Sequence, residues 1–166
     1  MPRLRYTKLA PEAYNSLVSV GHYLRTATKL DAVLLGLVDL RASQLNGCGF
    51  CIGMHTHELK QANEPDSRIN AVATWRNSDA FTPRERAALA WTEAITNIQD
   101  GHACDEAYAA VSEYFKDKDL VDLTWAIATI NAWNRMGIGF AAEWNPPARA
   151  GASSAKEEPA TAAAGS

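Results

Sequence analysis

A chain of 166 residues, 47% of them hydrophobic, can form one domain with its own core, and a net charge of −3 without a basic cluster argues against a nucleic-acid partner. No apolar run approaches the roughly 20 residues that span a bilayer, and Met1-Pro2-Arg3-Leu4-Arg5 lacks the apolar stretch of a secretory leader, so a cytoplasmic protein with no membrane partner is expected. Three cysteines, two of them in one tight motif, suit transient catalytic chemistry in such a compartment better than a framework of structural disulfides.

Hydrophobic spacing reads as helix almost throughout, and no segment alternates as a strand does. Pro11 lies near the start of a first segment carrying Tyr14, Leu17, Val18 and Leu24. Asp31 is placed to cap a second, through Leu34, Leu35, Leu37, Val38 and Leu40 towards Leu45, and Asn46-Gly47 is a helix-end signal. A third helix is expected from near Cys48 to Ala62-Asn63. Pro65 opens a short fourth towards Trp75. Thr82-Pro83-Arg84-Glu85 is a capping box with proline at the first helical position, starting a fifth helix that reaches Ile98. Asp105 begins a sixth, and Asp117 or Asp119 a long last helix to Phe140. The expectation is an all-α domain of six to seven helices over residues 1–145. Residues 146–166, rich in Ala, Ser and Pro, read as a disordered tail. Leu37-Val38-Asp39-Leu40 recurs as Leu120-Val121-Asp122-Leu123, a match that duplicated hairpins or chance would explain equally.

The chemistry concentrates in Cys48-Gly49-Phe50-Cys51-Ile52-Gly53-Met54-His55. Two thiols three residues apart can close into a disulfide and reopen. On a helix advancing about 100° per residue, Cys51 lies roughly 60° and His55 roughly 20° from Cys48, whereas His57 falls on nearly the opposite face. Four zinc ligands therefore cannot converge from this helix alone, and no metal is expected. A thiol in the first turn feels the positive helix end, which raises its thiolate fraction, and His55 can carry a proton to or from a sulfur. Arg41, Ser43, Gln44 and Asn46 either orient the thiol loop or cap the preceding helix. The five tryptophans read as core or interface anchors. His22, His102 and Cys104 stand outside any motif.

Leu40-Arg41-Ala42-Ser43-Gln44-Leu45-Asn46-Gly47-Cys48-Gly49-Phe50-Cys51 with Met54-His55-Thr56, the block Phe81 to Ala94, and Ile127 to Arg135 together resemble the carboxymuconolactone decarboxylase-like superfamily, in its alkylhydroperoxidase AhpD-like branch. The likeness runs from about Tyr6 to Phe140. It implies an all-helical fold with the CxxC at the N-terminus of a central helix, and a homo-oligomer, commonly a trimer or hexamer. It also implies a cofactor-free thiol peroxidase that reduces a hydroperoxide through a CxxC disulfide cycle, with an external dithiol as reductant. Carried over, Cys51 beside His55 attacks the peroxide and Cys48 resolves; helix position alone favours Cys48 as the lower-pKa thiol.

One position departs from the family pattern. Active members carry a glutamate twelve residues before the first cysteine, the start of a proton relay through the histidine, and here that residue is Gly36. Asp39 is displaced from it by about 60° on the helix. Slow peroxidase turnover is therefore expected, with Gly36→Glu expected to accelerate it. The alternatives are a dithiol–disulfide redox adaptor without peroxide turnover, or a non-catalytic helical oligomer; a decarboxylase ranks last, since such members generally lack the CxxC.

Overall fold

The computed structural model describes residues 3–146, and the tail expected from 146 onward lies, apart from Pro146, outside the described residues. Among the described residues there are eight α-helices: α1 (Tyr6–Leu9), α2 (Pro11–Thr26), α3 (Ala32–Asn46), α4 (Gly49–Gln61), α5 (Asp66–Ala71), α6 (Pro83–Thr96), α7 (Asp105–Ser112) and α8 (Asp117–Gly139). A 3₁₀ turn, Val72–Asn77, extends α5. The sequence pattern yields seven of these segments. It does not resolve α1, which is four residues long with no buried residue, or the 3₁₀ turn.

The start signals operate as read. Asp31 Oδ1 accepts from the backbone N–H of Leu34 at 2.8 Å, capping α3. Thr82 and Glu85 form the reciprocal capping box of α6.

The hub is α3, which packs on α4, α6 and α8. One core cluster gathers Leu34, Leu35 and Val38 with Leu24, Trp91, Phe115, Leu123 and Ile127. The other gathers Leu37 and Leu40 with Leu59, Ile69, Trp75 and Leu89. A helix apolar on all sides must be enclosed on all sides, which explains the near-continuous run from Ala32 to Leu40. No helix among the described residues is long and apolar enough to cross a membrane.

Buried amides pin α3 to α8. Asn46 Nδ2 donates to Asn131 Oδ1 and Asn134 Oδ1, both at 2.9 Å. Asn134 Nδ2 donates to Ser43 Oγ at 3.0 Å, and Asn131 Nδ2 to Thr96 Oγ1 on α6 at 3.0 Å. In an interior each of these groups would be costly without a partner, so the network fixes the relative placement of three helices.

Candidate active site

Two helix ends meet at the thiol motif. α3 closes in a Schellman arrangement: Gly47 is left-handed at φ 70°, its N–H donates to Gln44 O at 3.2 Å, and the Cys48 N–H donates to Ser43 O at 3.0 Å. Of the four residues weighed before the motif, Ser43 and Gln44 thus cap α3 through their carbonyls, Asn46 enters the amide network, and Arg41 pairs with Glu93 on α6 at 2.7 Å. Cys48 is at once the residue after α3 and the N-cap of α4, with its Sγ 3.4 Å from the backbone N–H of Cys51. The sulfur occupies the place of a capping oxygen, where the helix end favours a thiolate.

Cys48 and Cys51 are joined as a disulfide, with Cα atoms 5.3 Å apart. Both are buried, at 1% and 2% exposure. The pair lies against Gly137 of α8, where a Cβ would stand 3.1 Å from Cys48 Sγ and 3.5 Å from Cys51 Sγ. The two sulfurs differ in surroundings. Cys51 lines a pocket of about 450 Å³, together with Met54, His55, Tyr14, Val18 and Trp133, and Cys48 does not.

His55 is 2% exposed and also lines that pocket. Its Nδ1 is 2.8 Å from Glu58 Oε2 and 3.9 Å from Asp39 Oδ2. Nδ1 therefore carries a hydrogen, donated to Glu58, and among the described residues no protein group hydrogen-bonds to the buried Nε2. Burial works against charging the ring, but Asp39 and the Glu58 hydrogen bond outweigh it and hold the His55 pKa above its usual value. The His55 hydrogen bond draws Glu58 below the ordinary carboxylate range. Burial pushes Asp39 up, against the pull of His55 and Arg25.

Gly36 brings no carboxylate, but Glu58 and Asp39 both stand near His55 Nδ1. Glu58 lies one turn beyond His55, and its i,i+3 spacing is the sequence signal that could have found it. Asp39 is not a solvated helix charge but a largely enclosed group facing the imidazole. Gly36 itself is close-packed: a Cβ there would lie 2.8 Å from Leu59 Cδ2. His57 turns away, as its helical phase requires, with its ring centroid 5.9 Å from that of Trp144. Trp144 crosses α4 at Gly53, where a Cβ would come 2.7 Å from its Cγ. Cys104 is a free, exposed thiol. Among the described residues no group of three His, Cys, Asp or Glu side chains is arranged to hold a metal ion.

Residues 11–94 match the model of the carboxymuconolactone decarboxylase family. The chain belongs to that family. The uncharacterized protein YdfG of Bacillus subtilis is 35% identical over 138 residues, which is 83% of this chain and 93% of YdfG. A crystal structure from Agrobacterium tumefaciens, of a protein of unknown function proposed to be the antioxidant defence protein AhpD, superposes with a TM-score of 0.84 at 35% identity, covering 88% of this chain and 99% of that one. The debrominase Bmp8 has the same fold at 17% identity, with a TM-score of 0.75 over 84% of this chain and 74% of its own. The all-helical architecture with its CxxC is that of the family's AhpD-like members.

Proposed function

We propose that the protein is a thiol-dependent peroxidase that reduces organic hydroperoxides through a Cys48–Cys51 disulfide cycle. The observation that carries this reading is the asymmetry of the site. Cys51 and His55 line one pocket, and Nδ1 of His55 is held by Glu58 with Asp39 behind it, while its Nε2 has no protein partner among the described residues. These are the parts from which a nucleophile–base–orienter arrangement of covalent catalysis is built, and they support this reading.

In the reduced enzyme His55 Nε2 takes the Cys51 thiol proton. The thiolate attacks the distal peroxide oxygen, the O–O bond breaks, and the departing alkoxide takes the proton back from Nε2. Cys51 is then a sulfenic acid, and Cys48 Sγ displaces its hydroxyl to give the disulfide, the hydroxyl leaving as water with the Cys48 thiol proton. An external dithiol attacks Cys51, the sulfur that faces the pocket. Cys48 leaves as a thiolate favoured by its helix N-terminus, and a low-pKa thiol is the faster leaving group. A second attack within the donor releases Cys51.

With Glu58 and Asp39 at His55, Gly36 is no reason for slow turnover. The same reading includes a cytoplasmic setting, whose reducing pool keeps the cycle supplied, and a homo-oligomer, trimeric or hexameric. Val121 and Trp125 on α8 and Tyr108 on α7, each 55% exposed, line one apolar groove suited to a second copy.

The test is consumption of cumene hydroperoxide with dithiothreitol as donor. The wild type is expected to turn over repeatedly, Cys51→Ser not at all, and Cys48→Ser to stop at a sulfenic acid that dimedone traps. Disulfide formation in the wild type without turnover would instead make it a redox adaptor. No thiol oxidation would leave a non-catalytic oligomer.

A further inference from the structure

The pocket beside Cys51 is far larger than hydrogen peroxide needs, since two oxygens occupy roughly the space of two waters, about 60 Å³. Its roughly 450 Å³ falls within the range of small-molecule sites, about 300–1,000 Å³. The walls are mostly apolar, with Val18 and Leu24 of α2, Leu35 of α3, Met54 of α4, and Ile130 and Trp133 of α8, and Asp39 of α3 also lines the pocket. Set among them is a cation, Arg25 of α2, whose side chain is 53% exposed and lines the same pocket.

Arg25 is poorly occupied by the protein. Its Nη2 stands 3.9 Å from Asp39 Oδ2, too long for a hydrogen bond, and its Nη1 reaches Gly21 O at 3.5 Å, the limit of one. A guanidinium offers five N–H donors in a fork that fits a carboxylate. His55 Nδ1 lies 3.9 Å from the same Asp39 oxygen, so the guanidinium and the imidazole are no more than two such spans apart. A molecule engaging both would carry its anionic group close to its reacting group, with the rest of its body against the apolar wall.

We infer that Arg25 is a specificity-determining residue that pairs with the carboxylate of an amphipathic organic hydroperoxide, selecting anionic over neutral substrates. The inference rests on the peroxidase reading for the reacting group, but anion binding at Arg25 can be tested without turnover.

The binding arm titrates 4-methylpentanoate and its methyl ester into the disulfide form by calorimetry. The acid is expected to bind at least tenfold more tightly than the ester. Arg25→Gln should abolish that preference with ester binding unchanged, and Arg25→Lys should restore part of it. The kinetic arm compares 4-hydroperoxy-4-methylpentanoate with its methyl ester. Arg25→Gln should raise KM for the acid at least tenfold, leaving kcat and the ester's KM within twofold. Equal binding of acid and ester by the wild type, or a preference that survives Arg25→Gln, overturns the inference even if both hydroperoxides are consumed. A preference lost in Arg25→Gln supports it even if neither is consumed, in which case it is the peroxidase reading that fails.

Discussion

His55 has two carboxylate neighbours, Glu58 and Asp39, at one nitrogen of its ring. Removing the nearer, by Glu58→Gln, keeps a hydrogen-bonding group but deletes the charge. The His55 pKa should then fall from its raised position, and the acid limb of the kcat/KM profile, which reports the free enzyme, should move to lower pH. Turnover at pH 7 should drop by about 100-fold, the low end of what general acid–base catalysis contributes. A profile and rate unchanged by Glu58→Gln would remove Glu58 from the site. The same shift has a stability consequence. The folded disulfide form binds the His55 proton more tightly than the unfolded chain, so this stabilisation is present below the ordinary histidine value of about 6.5 and is lost as pH rises through the raised one. Replacing His55 by Gln should flatten the decline of Tm in that window, measured by calorimetric scans of the disulfide form.

At the scale of helices, the site depends on where α3 stops and α4 starts. The Asn46-Gly47 signal is legible in the sequence because a left-handed residue closing a helix favours glycine. The partners of Asn46 were not, since Asn131 and Asn134 lie 85 and 88 residues away and no local pattern links them. Asn134→Ala would remove one hydrogen bond each from Asn46 Nδ2 and Ser43 Oγ, which keep Asn131 Oδ1 and Asp39 O as partners, and a loss of about 1–3 kcal/mol is expected from the two bonds, read from denaturant unfolding. Gly36 shows the reverse difficulty. Its sequence position suggests a lost catalytic acid, whereas its surroundings make it a packing residue under Leu59, itself 1% exposed. Gly36→Glu is therefore expected to lose about 1–3 kcal/mol through overpacking, without accelerating peroxide consumption. Faster turnover in a fully stable Gly36→Glu protein would show that the relay through Glu58 and Asp39 is incomplete.

For the whole molecule, helical periodicity and caps were enough to read an all-α fold, because α2, α3, α6 and α8 each carry a start signal and long apolar spacing. The pocket was not readable, since its walls come from α2, α3, α4 and α8 and only tertiary packing brings Tyr14 and Trp133 beside Cys51. Nor was the exposure of Trp125, which periodicity cannot separate from a core tryptophan. If the groove of Val121 and Trp125 joins copies of the chain, light scattering should give a mass of three or six protomers, and Trp125→Arg should reduce it to one with the helical spectrum intact. The most direct test is a stopped-flow comparison of the reduced wild type, His55→Gln and Cys51→Ser on mixing with cumene hydroperoxide. The expected result is one disulfide per protomer formed rapidly in the wild type, at least 100-fold more slowly in His55→Gln, and not at all in Cys51→Ser. Equal rates in wild type and His55→Gln, or peroxide loss that survives Cys51→Ser, would contradict a peroxidase built on Cys51 and its histidine.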